Sequence, residues 1–276
     1  MSAGFNLDAY LARVGYDGPR TPDLATLSAL VLAHQTVIPF ESLDPVLGRR
    51  VAIDPASLQA KLVTGGRGGY CFENNGLFLL ALRALGFEVT PLAARVVWGA
   101  SPQAPVGGLT HMLLKVDLPE GPFLVDVGFG GQSPTAPLHL EDGLEQITPH
   151  GAYRLLARGR GHELQLALPS GWAGLYRFEE TPQGPADYEM FNWFSCTHPG
   201  ARFTSWLVVS RVVGSGRVIL TNLERTLLMP DAAPERTTLA DAEALRRTLK
   251  DDFGIEAGSA DLGPLFDRLR ALPETA

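Results

Sequence analysis

Apolar residues recur every three or four positions through the first 86 residues, which is the spacing of one helix face. Three such series are Leu24, Leu27, Leu30 and Val31; Leu58, Leu62 and Val63; and Phe72, Leu79, Leu80, Leu82 and Leu85. Asp23 and the pair Asp54-Pro55 stand where helix caps are expected, and Gly86 follows the third series as a stop signal. Residues 1–86 are therefore predicted to form a helical bundle.

From Phe87 onward the pattern changes to short runs of valine, leucine and aromatic residues separated by glycine and proline. The runs cover residues 94–98, 111–118, 123–127, 153–157, 163–168 and 172–178. Short strands with turn residues between them are typical of an antiparallel barrel or sandwich. Residues 87–185 are predicted to form this β-sheet domain, with 181–185 as a linker.

The last segment, residues 186–276, mixes both patterns. Two apolar runs, 206–213 and 217–221, flank the hairpin signal Gly214-Ser215-Gly216, and residues 225–229 are a third candidate strand. Two helical patterns, 239–253 and 262–272, close the chain. Helices, then strands, then a mixed segment predict an α+β chain rather than an alternating βαβ one.

Composition limits the classes of protein to which this chain can belong. Its 276 residues carry a formal net charge of −7, which argues against nonspecific nucleic-acid binding because that requires a basic surface. No apolar run approaches the roughly 20 residues of a membrane helix, and the N-terminus lacks a signal-peptide pattern. There are two cysteines, Cys71 and Cys196, so a disulfide scaffold is not expected, although one bond between them stays possible. A cytoplasmic protein is predicted.

Cys71 carries the strongest chemical signal, in the segment Arg67-Gly-Gly-Tyr-Cys-Phe-Glu-Asn-Asn75. The glycines permit tight turns and close approach of another molecule, and the cysteine opens a predicted helix. A helix N-terminus stabilises a thiolate and so increases its reactive fraction near neutral pH. The alternative is a cysteine that only packs. Because residues 65–69 lack the following Lys-Ser/Thr of a phosphate loop, no bound nucleotide cofactor is expected. No metal site is predicted either.

A reactive thiolate needs a base and a group that orients the base. Of the six histidines, His111 differs because it opens an apolar strand after Gly107-Gly108, whereas His34 is interpreted as a favourable charge at a helix C-terminus. Asp126 interrupts an apolar strand, where a carboxylate is costly without a partner. A turn of about four residues, 119–122, would set His111 opposite position 130, so Asp126 comes within reach only if the strands bend. Asp126 as a structural carboxylate stays an alternative.

Together, the segments RGGYCFENN, HMLL and VDVGFG resemble the signature of the arylamine N-acetyltransferases, and the resemblance spans about residues 5–270. It implies a helical bundle (1–86), a central antiparallel β-barrel (87–185) and a C-terminal α/β lid (186–276), with a papain-like cysteine triad at the core. It also implies that Cys71, His111 and Asp126 form this triad. The implied donor is acetyl-CoA, used as a co-substrate without a permanently bound cofactor, and the implied acceptor is an arylamine, arylhydroxylamine or hydrazine.

The resemblance also assigns supporting positions. Phe40, Phe129 and Phe203 match residues that line the acceptor pocket, although each could simply pack in a core. Arg67 and Glu41 match an ion pair that supports the cysteine loop, whereas Ser42 departs from the asparagine of many relatives.

Three rival functions stay open at this point. A polyketide amide synthase of the same fold would take a carrier-bound acyl chain in place of acetyl-CoA. A thiol hydrolase or a crosslinking enzyme would use the same triad, and a non-catalytic binding protein would keep only the fold. No nucleic-acid or membrane partner is expected for this protein.

Overall fold

A computed structural model of the protein describes residues 4–101, 105, 107–230 and 232–272. Its N-terminal part is helical, as predicted. Asn6 caps the first helix and Asp23 the second, each accepting a backbone N–H from three residues onward. The helices of this part are α1 (Leu7–Val14), α2 (Leu24–Val37), α3 (Leu43–Val46), α4 (Pro55–Leu58) and α5 (Cys71–Ala84).

Between α4 and α5 the chain makes an unusual turn. Asp54 caps α4 by accepting the N–H of Ser57 at 3.0 Å, but the helix then continues as a π-helix over Gln59–Thr64. The π-helix ends at Gly65, whose N–H donates to Ala60, and the glycine-rich loop leads from there into Cys71. π-helices are rare and concentrate at functional sites, and this one directly precedes the loop that leads to Cys71.

The central part is an antiparallel sheet of eight strands in the described residues, in the order β5-β4-β3-β2-β9-β8-β7-β6. Its ends nearly meet, because the Gln146 side chain on β6 donates to and accepts from the backbone of His139 on β5. The predicted barrel is thereby confirmed. The strands are β2 (Glu88–Val96), β3 (His111–Leu118), β4 (Gly121–Val125), β5 (Leu138–His139), β6 (Glu145–Thr148), β7 (Gly151–Arg158), β8 (Gly161–Leu168) and β9 (Gly171–Phe178).

Two details of the barrel differ from the prediction. The strands β5 and β6 were not predicted, because they are only two and four residues long and carry little alternation. The turn between β3 and β4 has two residues rather than four, since Leu118 pairs with Gly121. This register moves the position opposite His111 from 130 to 128 and brings it closer to Asp126.

The last part contains the predicted hairpin, in which Val213 pairs with Gly216, and the two closing helices. Its sheet has the order β1-β10-β11-β12-β13, so β1 from the helical part lies at its edge. The elements are β1 (Phe40–Glu41), α6 (Pro185–Thr197), a 3₁₀ turn (Arg202–Thr204), β10 (Val208–Val213), β11 (Gly216–Thr221), β12 (Glu224–Leu228), β13 (Glu235–Thr238), α7 (Ala242–Phe253) and α8 (Ser259–Arg270). Because β1 crosses between parts, the three-domain boundaries stay a prediction.

The hydrophobic core that matters for function lies between the helices and the barrel. It includes Tyr70 and Cys71 from the start of α5, and Met112 and Val125 from β3 and β4. A second core fills the barrel and a third lies under α7 and α8. The start of α5 is therefore held against the end of the barrel where β3 begins and β4 ends.

Candidate active site

Cys71 is the first residue of α5 and is only 3% exposed. Its thiol donates to the carbonyl of Thr110 at 3.5 Å, which places the sulfur beside the start of β3. The N–H groups of Glu73 and Asn74 donate to the carbonyl of Tyr70 at 3.1 and 2.9 Å. The N–H groups of Cys71 and Phe72, which precede the first helical hydrogen bonds, are therefore the candidates to bind an anion. Cys71 thus lies where the sequence predicts it, at a helix N-terminus.

His111 and Asp126 lie together beside Cys71. The Nε2 atom of His111 is 2.7 Å from Oδ2 of Asp126, and both side chains are almost fully buried. Since this contact uses Nε2, the other ring nitrogen, Nδ1, is the one available to the thiol of Cys71. The structure therefore brings the three predicted residues into one cluster.

Asp126 occupies a different position from the one that the sequence suggested. Strand β4 ends at Val125, so Asp126 is the first residue of the following loop rather than an interruption within a strand. Its Oδ1 accepts from the side chain of Asn75 at 2.9 Å and from the backbone of Gly128 at 2.9 Å. In a strand, the carboxylate would be fixed on one face of the sheet. In the loop it can turn toward His111.

Two residues that the sequence did not single out hold this cluster in place. Asn75 lies one helical turn after Cys71 and donates to both Met112 and Asp126 while accepting from Val127. Gly128 lies so close to Cys71 that a Cβ atom there would come within 2.9 Å of the Cys71 Cα. For Asn75, the signal available in the sequence was its position four residues after Cys71.

The ionisation of the pair follows from burial opposed by charge. Burial by itself would lower the pKa of His111, but the Asp126 carboxylate, its hydrogen bond and the neighbouring Cys71 raise that pKa to about 10. For Asp126 burial raises the pKa, but His111 and the donors Asn75 and Gly128 outweigh burial and hold it below its usual value. At neutral pH the buried pair is therefore imidazolium and carboxylate.

This ionisation predicts how stability depends on pH. Because folding raises the pKa of His111, its stabilising contribution is complete below the unfolded-state pKa of about 6.5 and is lost as pH rises through about 10. The free energy of unfolding should therefore fall over this range. Chemical denaturation at several pH values checks it, and the slope should shrink in His111→Gln. An equal slope in both proteins would assign the titration to other groups.

His34 does not have the role that the sequence suggested. Its Nδ1 is 3.1 Å from the hydroxyl of Tyr10 and its Nε2 is 3.4 Å from Oδ1 of Asn74, with the ring fully buried. Burial lowers the pKa of His34 to about 3, so the side chain is neutral. The interpretation as a charge at the end of α2 is wrong, because tertiary packing removes the solvent that such a charge needs.

A cavity of about 760 Å³ opens onto the cluster. Cys71 and His111 line it, and so do all three phenylalanines that the family resemblance assigned to the acceptor pocket. The Phe129 ring meets the His111 ring edge-on at 5.0 Å between centroids, and the rings of Phe40 and Phe203 lie 5.8 Å apart. Since this volume is typical of ligand pockets, the cavity can hold a small aromatic molecule next to the thiol.

The residues assigned to loop support also meet. Arg67 donates to Oε1 of Glu41 from Nε at 3.0 Å and from Nη2 at 2.6 Å. Ser42 donates to the carbonyl of Trp206 and accepts from Val208, so serine suffices at this position.

Within the described ranges, no group of three or more His, Cys, Asp and Glu side chains is arranged to hold a metal ion, and no helix is long and apolar enough to cross a membrane.

Comparison with known proteins agrees with this architecture. Residues 23–262 match the family model described as N-acetyltransferase. The arylamine N-acetyltransferase of Mycolicibacterium smegmatis is 42% identical over 92% of this chain and 93% of its own length. That of Escherichia coli K12 is 40% identical over 95% of this chain and 93% of its own length. A solved Mycobacterium marinum arylamine N-acetyltransferase in complex with CoA is 40% identical, with a TM-score of 0.92 over 96% of this chain and 99% of that one.

The fold and the family match define an acyltransferase enzyme. The chain belongs to the arylamine N-acetyltransferase family.

Proposed function

We propose that this protein transfers an acetyl group from acetyl-CoA, through Cys71, to an arylamine, arylhydroxylamine or hydrazine. The observation that carries the proposal is the buried Cys71–His111–Asp126 cluster at the wall of a cavity lined by aromatic rings. The relatives reported above are named for arylamine acetyl transfer, and one was solved with CoA. These observations favour acetyl transfer over the amide synthase and thiol hydrolase alternatives.

In the first half-reaction the thiolate of Cys71 attacks the thioester carbonyl of acetyl-CoA. Backbone N–H groups in the first turn of α5 stabilise the resulting oxyanion. Imidazolium His111, held charged by Asp126, lies beside the sulfur and gives a proton to the leaving CoA thiolate. The products are free CoA and acetyl-Cys71.

In the second half-reaction the amine enters the same cavity and attacks the acetyl carbonyl. His111, now neutral, takes the proton from the amine nitrogen, and the Cys71 thiolate leaves. The acetylated amine departs and the thiolate–imidazolium pair is restored. Asp126 holds the ring through Nε2 in both steps, so that Nδ1 faces the reacting atoms.

The three pocket phenylalanines would bind the flat acceptor by stacking and burial. Phe129 also contacts the His111 ring, so it links acceptor position to the base. Arg67 and Glu41 are proposed to support the loop that precedes Cys71.

Both cysteines are free thiols, which supports a reducing, cytoplasmic setting. No nucleic acid partner is proposed.

The proposal predicts a stable acetyl-enzyme. Protein incubated with acetyl-CoA in the absence of amine should gain one acetyl group on the Cys71 peptide, and adding an arylamine should remove it. Initial rates against both substrates should give parallel reciprocal plots, as a substituted-enzyme scheme requires. Converging plots together with an unmodified Cys71 would exclude the scheme. A carrier-bound acyl donor that loads Cys71 when acetyl-CoA does not would favour the amide synthase.

A further inference from the structure

Behind the cysteine loop lies a cluster of charged side chains that the mechanism above does not use. Lys61 Nζ is 2.7 Å from Oε1 of Glu73, 2.6 Å from Oδ2 of Asp44 and 3.8 Å from Oε1 of Glu41. Arg67 joins the cluster through Glu41 and Asp44. Arg49 lies at the edge of the cluster, 3.9 Å from Oδ1 of Asp44. Of these three cations, Lys61 is the one within hydrogen-bond distance of Glu73.

This cluster is buried, so its charges depend on one another. Glu41 and Glu73 are each 1% exposed, whereas the Lys61 side chain keeps 19% of its surface. Burial raises the pKa of Glu73 to about 7, and nearby Glu41 adds to the rise while Lys61 opposes it. Without the lysine, Glu73 would be a buried carboxylate facing another carboxylate, which is an unfavourable arrangement.

Glu73 connects this cluster to the nucleophile. Its second oxygen, Oε2, accepts the backbone N–H of Tyr70 at 3.1 Å, and Tyr70 immediately precedes Cys71. Gly69 makes this possible, because a Cβ there would come within 2.5 Å of the Glu73 Cβ. The Glu73 side chain therefore folds back over the loop and fixes the peptide from which Cys71 begins α5.

The π-helix gives Lys61 its place in this arrangement. The carbonyl of Lys61 accepts from the N–H of Arg67 at 3.1 Å, while its side chain reaches Glu73 on α5. Lys61 therefore contacts the middle of the glycine-rich loop through its backbone and the first turn of α5 through its ammonium group.

We propose that Lys61, acting through Glu73, is a positioning residue that sets the orientation and reactivity of the Cys71 thiol. The inference rests on the proposed role of Cys71 as the nucleophile. A loop released from Lys61 can turn the Tyr70–Cys71 peptide, and the sulfur then leaves its line toward His111. Displacements of about 1 Å at a reacting atom cost as much as about 100-fold in rate.

The test measures thiol chemistry directly. In Lys61→Met, the rate of Cys71 alkylation by iodoacetamide should fall about 10-fold and kcat should fall with it, because a misplaced sulfur loses its contact with imidazolium. The KM for the amine should change less than about twofold, since Lys61 does not line the cavity. Lys250→Met is the matched control, because Lys250 forms an exposed ion pair with Glu256 far along the chain, and it should leave both rates unchanged.

Loss of folding is monitored within the same molecule. Cys196 is buried and, unlike Cys71, does not line the cavity, so its labelling by iodoacetamide should stay slow in every folded variant and rise only on unfolding. If Lys61→Met does not fold, Glu73→Gln tests the proposal in its place. Glutamine keeps the acceptor for the N–H of Tyr70 but removes the charge that Lys61 binds. Cys71 alkylation in Glu73→Gln should then fall by about threefold or more.

The proposal would be overturned if a folded Lys61→Met protein had the same Cys71 alkylation rate and kcat as the wild type. If Lys61→Met does not fold, the same result in Glu73→Gln would overturn it. The cluster would then be a purely structural element. Because iodoacetamide requires neither substrate, the alkylation result is independent of the acetyl donor and the acceptor. A wild-type protein that is alkylated at Cys71 but never acetylated would contradict the proposed function and not this inference.

Discussion

Replacing Cys71 by serine is expected to lower acetyl transfer by at least about 10⁴-fold, with the protein still folded. The reason lies in the ionisation of the site. His111 is already an imidazolium opposite Asp126, so no neutral base is available to deprotonate a serine hydroxyl. A thiol can supply a thiolate to this cation, but an alcohol cannot. Steady-state rates and intact mass after incubation with acetyl-CoA measure the effect.

Cys196→Ser is the matched control for that substitution. Cys196 is equally buried, but its sulfur does not line the cavity, so turnover should stay within about threefold of wild type. If Cys71→Ser retained substantial activity and no acetyl adduct formed at Cys71 in the wild type, the nucleophile would have to be another group.

The second large effect is expected from Asp126→Asn, which should lower kcat/KM by about 10³-fold to 10⁴-fold. The donors Asn75 and Gly128 both bind Oδ1, so they would select the oxygen of the asparagine for that position. The amide NH₂ would then face Nε2 of His111, which could only accept its hydrogen bond in a neutral ring. The thiolate would lose its imidazolium partner, and alkylation of Cys71 at neutral pH should slow in parallel.

Asp117→Asn provides the comparison, because Asp117 is a partly exposed carboxylate on the same strand as His111 and lies 3.5 Å from Lys115. It should leave kcat/KM and the thermal midpoint nearly unchanged. Circular dichroism and thermal unfolding would confirm that Asp126→Asn is folded. Near-normal kinetics in folded Asp126→Asn would assign Asp126 a structural role alone.

The helices and most strands could be read from local pattern. Asp23 and Asp54 cap the helices that their sequence positions predict, and Gly214 and Ser215 form the predicted turn. These features depend on residues within a few positions of one another, where capping and turn preferences act directly. The cysteine segment, residues 67–75 with two glycines, likewise singled out Cys71 as the candidate nucleophile.

The site geometry could be predicted only in part. The turn between β3 and β4 is two residues shorter than expected, and Asp126 lies after the strand rather than inside it. Nothing in the local pattern shows that His34 is fully buried between Tyr10 and Asn74. The burial of His34 depends on how α1, α2 and α5 pack against one another, and the contacts of Asp126 depend on how α5 packs against the barrel.

The sequence by itself determined the order of elements, the helix caps, the α+β class and the choice of Cys71 as the candidate nucleophile, because these depend on short-range spacing. The tertiary structure decided which groups meet across the chain. Asn75 joins α5 to Asp126, Gly128 permits contact with Cys71, and Lys61 reaches Glu73 behind the loop. Such contacts arise from the packing of separate elements into one core, and no local pattern specifies the distances between residues that packing brings together.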